Sequence, residues 1–194
     1  MRAAVAAPLL ALVVGVSGCA SDNSASSRLP TCVEGDVTNG VILMAQSVPS
    51  ATWVPCLRTN LPLGWSFVHL EARNGSSRFS LDSNRDGDKA IEVLFEKSCD
   101  TTGATEIPSD RAGLQRFERV RLTTPRYEGE RYYVFDGGCI TFVFHLIGDS
   151  RGEPLALATQ SIGAISRADL IALVHDESDG RLSLDPAETG AGEP

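Results

Sequence analysis

The chain predicts an α+β domain, a single antiparallel sheet of about five or six strands with helices packed on one face. Three observations carry this expectation. The middle of the chain alternates apolar and polar residues at the period of a strand, the final third shifts to the period of a helix, and turn-forming pairs such as Asn74-Gly75 and Asp136-Gly137 punctuate the alternating part. Strand runs that precede helical runs indicate segregated layers around one core.

The first element is a helix over Val37 to Val48. Val37, Val41, Ile42, Met44, Ala45 and Val48 fall close to one helical face, with Asp36 as cap and Pro49 as stop. Trp65 to Leu70 and Arg78 to Leu81 then alternate as short strands joined across Asn74-Gly75, where both residues tolerate positive φ. Ile91, Val93 and Phe95 alternate with Glu92, Leu94 and Glu96, a strand with one buried face. Phe117 to Leu122 is a further strand. The clearest element is a hairpin, Arg131 to Phe135 and Cys139 to Ile147 around Asp136-Gly137-Gly138. Its second arm carries Ile140, Phe142, Phe144 and Leu146 on one face and Val143 and Ile147 on the other, which predicts a central strand.

Pro154 to Ile162 can begin a helix with proline in its first turn and end it at Gly163. Ser166-Arg-Ala-Asp169 reads as a capping box, with Ile165 and Leu170 spaced as a hydrophobic staple, and opens a second helix to about Glu177. Gly180 stops it, and Arg181 to Leu184 is expected as a short edge strand.

The first residues follow a different logic. Met1-Arg2 is followed by an apolar stretch from Ala3 to Val16, too short and too interrupted by Pro8 and Gly15 for a spanning helix of roughly 20 residues. It closes on Val16-Ser17-Gly18-Cys19, small residues before a cysteine whose thiolate can take a lipid. In these residues the leader resembles the signal of bacterial lipoproteins. The resemblance implies cleavage before Cys19, a diacylglyceryl thioether with palmitate-like chains on its sulfur, and residence at the extracytoplasmic face of the cell membrane. Two acyl chains hold where one is marginal, at about 0.8 kcal/mol per buried methylene. The rest of the chain resembles small uncharacterised actinobacterial lipoproteins, which implies nothing mechanistic.

The organisation expected is then a signal peptide at 1–18, a flexible tether at 19–31 rich in Ser, Asn and Ala, one domain at 32–186 and a polar, disordered tail at 187–194. The domain is long enough for one core. Arginine outnumbers lysine 15 to 2 in a chain rich in Ala, Gly and Asp, the codon bias of a G+C-rich bacterium. Loss of Arg2 from 17 basic residues leaves a formal charge of −9 against 25 acidic ones, which argues against nucleic acid and anionic lipid surfaces as partners.

Four cysteines remain besides Cys19: Cys32, Cys56, Cys99 and Cys139. An even number in an oxidising compartment predicts two disulfides. Three pairings are possible; Cys32 with Cys56 and Cys99 with Cys139 is favoured, because each closes a moderate loop and pins an irregular segment to a sheet. A zinc site is disfavoured, since no CxxC pair occurs and His69, His145 and His175 are scattered.

Three constellations bear on chemistry. Asp82-Ser-Asn84-Arg-Asp86-Gly87-Asp88 resembles the first half of an EF-hand loop, but Lys89 and Val93 stand where the second half needs an apolar residue and a bidentate glutamate, so a solvated hairpin loop is expected and no metal. Arg116, Arg119, Arg121, Arg126 and Arg131 cluster beside Phe117, Tyr127, Tyr132 and Tyr133, the one basic region of an acidic chain. Arg119, Arg121, Arg126, Arg131, Tyr127 and Tyr132 form the candidate anion or partner site, with Arg119 and Arg121 on one strand face able to grip a carboxylate or phosphate. The competing reading is a strand whose charges pair with Glu118, Glu128 and Glu130. Finally, no Gly-x-Ser-x-Gly elbow, HExxH, P-loop or dinucleotide fingerprint occurs. His69 and His145 fall in predicted strands, His175 suits a helix C-terminus, and Trp53 and Trp65 suit the core.

The function expected is therefore a lipid-anchored extracytoplasmic binding or structural module without a cofactor, facing an envelope protein or small ligand. The alternative is an envelope hydrolase with a histidine base.

Overall fold

The computed structural model describes residues 24–26, 29–32, 39–147 and 151–188. The leader with Cys19, the proposed cap Asp36, Val37 and the last residues of the tail lie outside them.

Among the described residues ten strands and three helices follow in order: β1 (Ser24–Ser26), α1 (Asn39–Ser47), β2 (Trp53–Leu57), β3 (Trp65–Arg73), β4 (Ser76–Ser83), β5 (Gly87–Glu96), β6 (Thr105–Ile107), β7 (Gln115–Leu122), β8 (Tyr127–Phe135), β9 (Gly138–Leu146), α2 (Gly152–Gln160), β10 (Ile162–Ser166) and α3 (Arg167–Glu177). Seven strands lie in the order β3-β4-β5-β9-β8-β7-β6, all antiparallel, and the short β1 adds to the β3 edge. β2 and β10 pair as a separate antiparallel ribbon.

The expectation of an α+β fold with helices packed on one face of the sheet is overturned. The chain is mostly β, 45% strand against 18% helix. Two segments account for much of the difference. Ile162 and Gly163, read as the end of a helix, instead open β10, because Ile162 pairs with Leu57 and Gly163 lies under the Arg58 side chain, where a Cβ would collide. Trp53–Leu57 carries Pro55 and does not alternate, yet it forms β2; a two-stranded ribbon has a free edge on which a proline loses no ladder bond. Arg181 to Leu184 is irregular and not the edge strand expected.

The core is built where the period-2 pattern said it should be. Across three strands the register aligns Phe79 with Val93, Val93 with Phe142, Ile91 with Phe144 and Phe95 with Ile140, all within 2% of full burial. Burying a side chain of this size contributes about 1.5–3 kcal/mol. β9 is interior to the sheet, between β5 and β8. Val41, Met44, Ala45 and Val48 of the α1 region and Val54, Cys56, Leu57, Ile162 and Ala164 of the ribbon complete the same core.

Turns match their residues with one refinement. At Asn74-Gly75 only Gly75 takes positive φ, at 88°, so the turn uses the freedom of one residue and not of both. At Asp136-Gly137, Gly137 has φ 70°, and a Cβ there would run into the Ser50 carbonyl. Ser166 caps α3 as expected, its hydroxyl accepting from the Asp169 amide at 3.0 Å, and the Gly180 amide closes the other end on the His175 carbonyl at 2.8 Å.

Both disulfides pair as favoured. Cys32 bonds Cys56 with Cα atoms 5.5 Å apart, and Cys99 bonds Cys139 at 5.8 Å. The stretch expected to be a free tether is partly engaged: Ser24–Ser26 runs beside β3, and farther along Leu57 donates its amide to the Pro30 carbonyl at 2.7 Å while Cys32 donates to Leu57 at 3.1 Å. At the far end the Glu188 amide donates to the Pro49 carbonyl at 3.0 Å, inside the tail that composition assigned to disorder.

Candidate functional site

The arginine-tyrosine cluster lies on β7 and β8, and strand alternation divides it between the two faces of the sheet. Register sets Arg119 opposite Glu130 and Phe117 opposite Tyr132 on the outer face, and Glu118 opposite Arg131 and Arg116 opposite Tyr133 on the core face. The six candidate residues therefore do not form one site.

On the outer face three side chains converge on one carboxylate. Arg121 donates from Nη2 to Glu130 Oε1 at 2.6 Å, Tyr132 donates its hydroxyl to Oε2 at 2.8 Å, and Arg119 Nη1 stands 3.6 Å from Oε2. Arg119 also donates to the Asp100 carbonyl at 2.8 Å and lies 5.3 Å from the Tyr132 ring centre, a cation–π contact. The two guanidinium groups do grip a carboxylate with a tyrosine beside it. That carboxylate belongs to the neighbouring strand of the same sheet. Burial first, and then the hydrogen bond to the Glu130 carboxylate, pushes the Tyr132 hydroxyl up to about 12.

On the core face Arg131 is 6% exposed and donates from Nε to Glu118 at 2.6 Å, above the Phe144 ring at 5.7 Å. Arg116 donates to the same carboxylate at 2.5 Å and reaches Asp110 at 3.4 Å; the Tyr133 hydroxyl donates to Asp110 at 2.7 Å. Burial alone would raise the Glu118 carboxyl, but hydrogen bonds and charge from Arg116 and Arg131 outweigh it and hold the group below its ordinary value. Asp110 follows the same balance, with burial opposed by the Tyr133 hydroxyl, its own backbone, Arg111 and Arg116. Arg111 covers the Tyr133 ring at 4.6 Å and donates to the Ile162 carbonyl at 2.5 Å, joining the sheet to the β2–β10 ribbon.

Arg126 pairs with Glu128 at 2.5 Å, and Tyr127 packs against Phe144 with centres 6.3 Å apart. Each of the four candidate arginines thus faces a glutamate of its own sheet. The cluster is largely a cross-strand charge ladder, and its geometry braces β7 against β8.

In the EF-hand-like loop Ser83 and Asp86 are buried while Asn84 and Asp88 are exposed. Asp82 accepts from the Lys89 amide at 2.8 Å, and Asp86, 7% exposed, accepts from the Ser83 hydroxyl at 3.1 Å. Arg85 pairs with Glu153 of α2. Among the described residues no group of three or more His, Cys, Asp or Glu is placed to hold a metal ion.

The histidines stand apart. His69 and Arg78 share Glu71 on the open face of the sheet, at 2.9 Å and 2.7 Å; His145 lies on that face 3.8 Å from Glu92; His175 ends α3. A hollow of about 180 Å³ lies on the open face too, lined by Glu71, Arg73, Ser76, Arg78, Leu94 and Glu96. Trp53 and Trp65 pack against the core as expected.

The residue that sequence reasoning passed over is Arg167. It is 3% exposed, and its guanidinium donates to the carbonyls of Ala45 at 2.6 Å, Val48 at 2.9 Å, Ala51 at 2.8 Å and Asp185 at 3.2 Å. It thereby satisfies the C-terminal carbonyls of α1 from the first position of α3. Its place inside the capping sequence Ser166-Arg-Ala-Asp169 was the only signal, and that pattern speaks of local capping alone.

Comparison with protein-family models, with curated proteins and with solved structures finds no match to this chain.

Proposed function

We propose that the chain is a lipid-anchored extracytoplasmic module of a bacterial cell envelope, held at the cell membrane through Cys19 and serving a binding or structural role toward an envelope protein or small ligand. The observation that carries the reading is the division of its five cysteines. Four pair within the domain, and the fifth is the one that follows Val16-Ser17-Gly18. Disulfides persist outside the reducing cytosol, and a thiol behind small residues at the end of a short apolar run is the chemistry of acyl transfer. The charge ladder supports a structural or protein-contact role over anion capture, since its arginines are occupied by Glu118, Glu128 and Glu130.

The test is metabolic labelling with an alkyne fatty acid in cells that express wild type or Cys19→Ala, with fractionation and external protease. Label, membrane recovery and protease access are expected for wild type, and loss of label with release from the membrane for the variant. Wild-type protein recovered unlabelled from the cytosol, with five reduced thiols, overturns the proposal.

A further inference from the structure

The pairing of β1 with β3 fixes the direction of the strand that lies nearest to Cys19 in the sequence. Ser24 stands opposite Ala72, Ala25 opposite Glu71 and Ser26 opposite Leu70. The N-terminal end of β1 therefore points along β3 toward Arg73 and the Asn74-Gly75 turn. Cys19 is five residues before Ser24, a reach of at most about 17 Å. The turn begins two residues past Ala72, about 7 Å along the strand. The sulfur of Cys19 can thus sit no more than about 10 Å beyond the level of this turn.

We infer that the end of the sheet carrying Asn74-Gly75 rests against the bilayer surface, so that the domain stands on its membrane in one orientation. The inference rests on the reading of Cys19 as lipidated. Several segments share this end. The Gly75 amide donates to the Ser47 carbonyl at 2.7 Å, Lys97 lies against Gly75, and the Ser50 hydroxyl donates to Gly137 at 2.8 Å beside the Asp136-Gly137 turn. Arg73 at the end of β3 and Lys97 just past β5 stand here with Asp136 of the β8–β9 turn and Glu188, whose amide donates to the Pro49 carbonyl. The opposite end holds the turns at Asn84–Gly87 and Thr123–Arg126, with Leu63, 101% exposed, and Ile147, 61% exposed. β4 has eight residues, so this rim lies about 25 Å farther from the lipid.

The experiment uses full-length protein, acylated at Cys19 and carried in lipid nanodiscs doped with a lipid that bears a gadolinium chelate on its headgroup. Amide signals of Gly75, Lys97 and Gly137 are expected to be lost, and those of Gly87 and Arg126 to survive. Ala25→Pro, which removes a backbone donor from β1, and a Gly-Ser insertion between Cys19 and Ser24 should each abolish the gradient while the domain stays folded. Uniform broadening in wild type, stronger broadening at Gly87 and Arg126, or a gradient unchanged in both variants overturns the inference and leaves the anchor intact. Absence of acyl groups on Cys19, read by mass spectrometry before reconstitution, overturns the anchor and the orientation with it.

Discussion

Arg121 Nη2 and Glu130 Oε1 meet at 2.6 Å between neighbouring strands, and the same glutamate accepts the Tyr132 hydroxyl at 2.8 Å. Glu130 is thus the hub of the outer ladder. Glu130→Gln should cost about 1–3 kcal/mol in urea unfolding, because it removes the charge from hydrogen bonds to Arg121 and Tyr132 and from the ion pair with Arg119, in a side chain only 14% exposed.

The same contact sets an alkaline limit. Tyr132 holds its proton more tightly when folded, up to about 12, so the folded state binds more protons than the unfolded one above the ordinary tyrosine range. The stabilisation is complete below about pH 10 and is lost as pH rises through the folded value. Tyrosinate absorption should show a late-titrating group that moves down in Glu130→Gln. An unchanged late step would detach Tyr132 from Glu130.

An acid limit follows from the core face with the opposite sign. Glu118 and Asp110 have carboxyls held below their ordinary values, so they stabilise the fold above those values and lose the contribution as pH falls through the depressed ones. Glu118→Gln should lower stability at neutral pH and flatten its decline on acidification. Denaturant midpoints measured from neutral to strongly acidic pH check both parts.

Arg167 makes a sharper demand. Arg167→Met retains much of the stem but strands the carbonyls of Ala45, Val48 and Ala51, and should cost about 3 kcal/mol or more. Arg167→Lys should recover only part, since one ammonium cannot span the spread of acceptors that a guanidinium fork reaches. Urea unfolding of the three proteins gives the order directly, and an Arg167→Met protein as stable as wild type would remove the brace.

The disulfides should differ in weight. The Cys32–Cys56 and Cys99–Cys139 links close separations of 24 and 40 residues, for which chain entropy gives roughly 3.5 and 3.9 kcal/mol. Paired Cys→Ser variants should each lower the melting temperature, the second more, and a reductant should have no further effect on the double pair.

Legibility in the sequence tracked the range of the interactions. Ile91, Val93 and Phe95 announced a strand because alternation is local, and Ser166 announced a helix because its partner Asp169 is three residues away. Pro55 and Ile162 hid the ribbon, since each makes strand sense only through a partner more than a hundred residues distant. The strand share was therefore underestimated, while the three expected helices formed close to their expected bounds. At the candidate site, composition marked Arg119, Arg121 and Tyr132 for an external anion or partner, and in the structure all three face Glu130 of the same sheet. The competing reading, pairing with Glu118, Glu128 and Glu130, was also legible in the sequence, and it took the register to set Arg119 opposite Glu130. Arg167 was silent because its acceptors at Ala45 and Val48 lie about 120 positions upstream.

The Cys32–Cys56 link has a mechanical meaning. Tension that arrives from the N-terminus peels the three rungs of β1 from β3 one after another and then strips Pro30 from Leu57. At Cys32 it meets a covalent stop fastened to β2, itself laced along its length to β10. The folded body hangs from that rivet, and a tug on its leash spends itself before the aromatic interior feels any load.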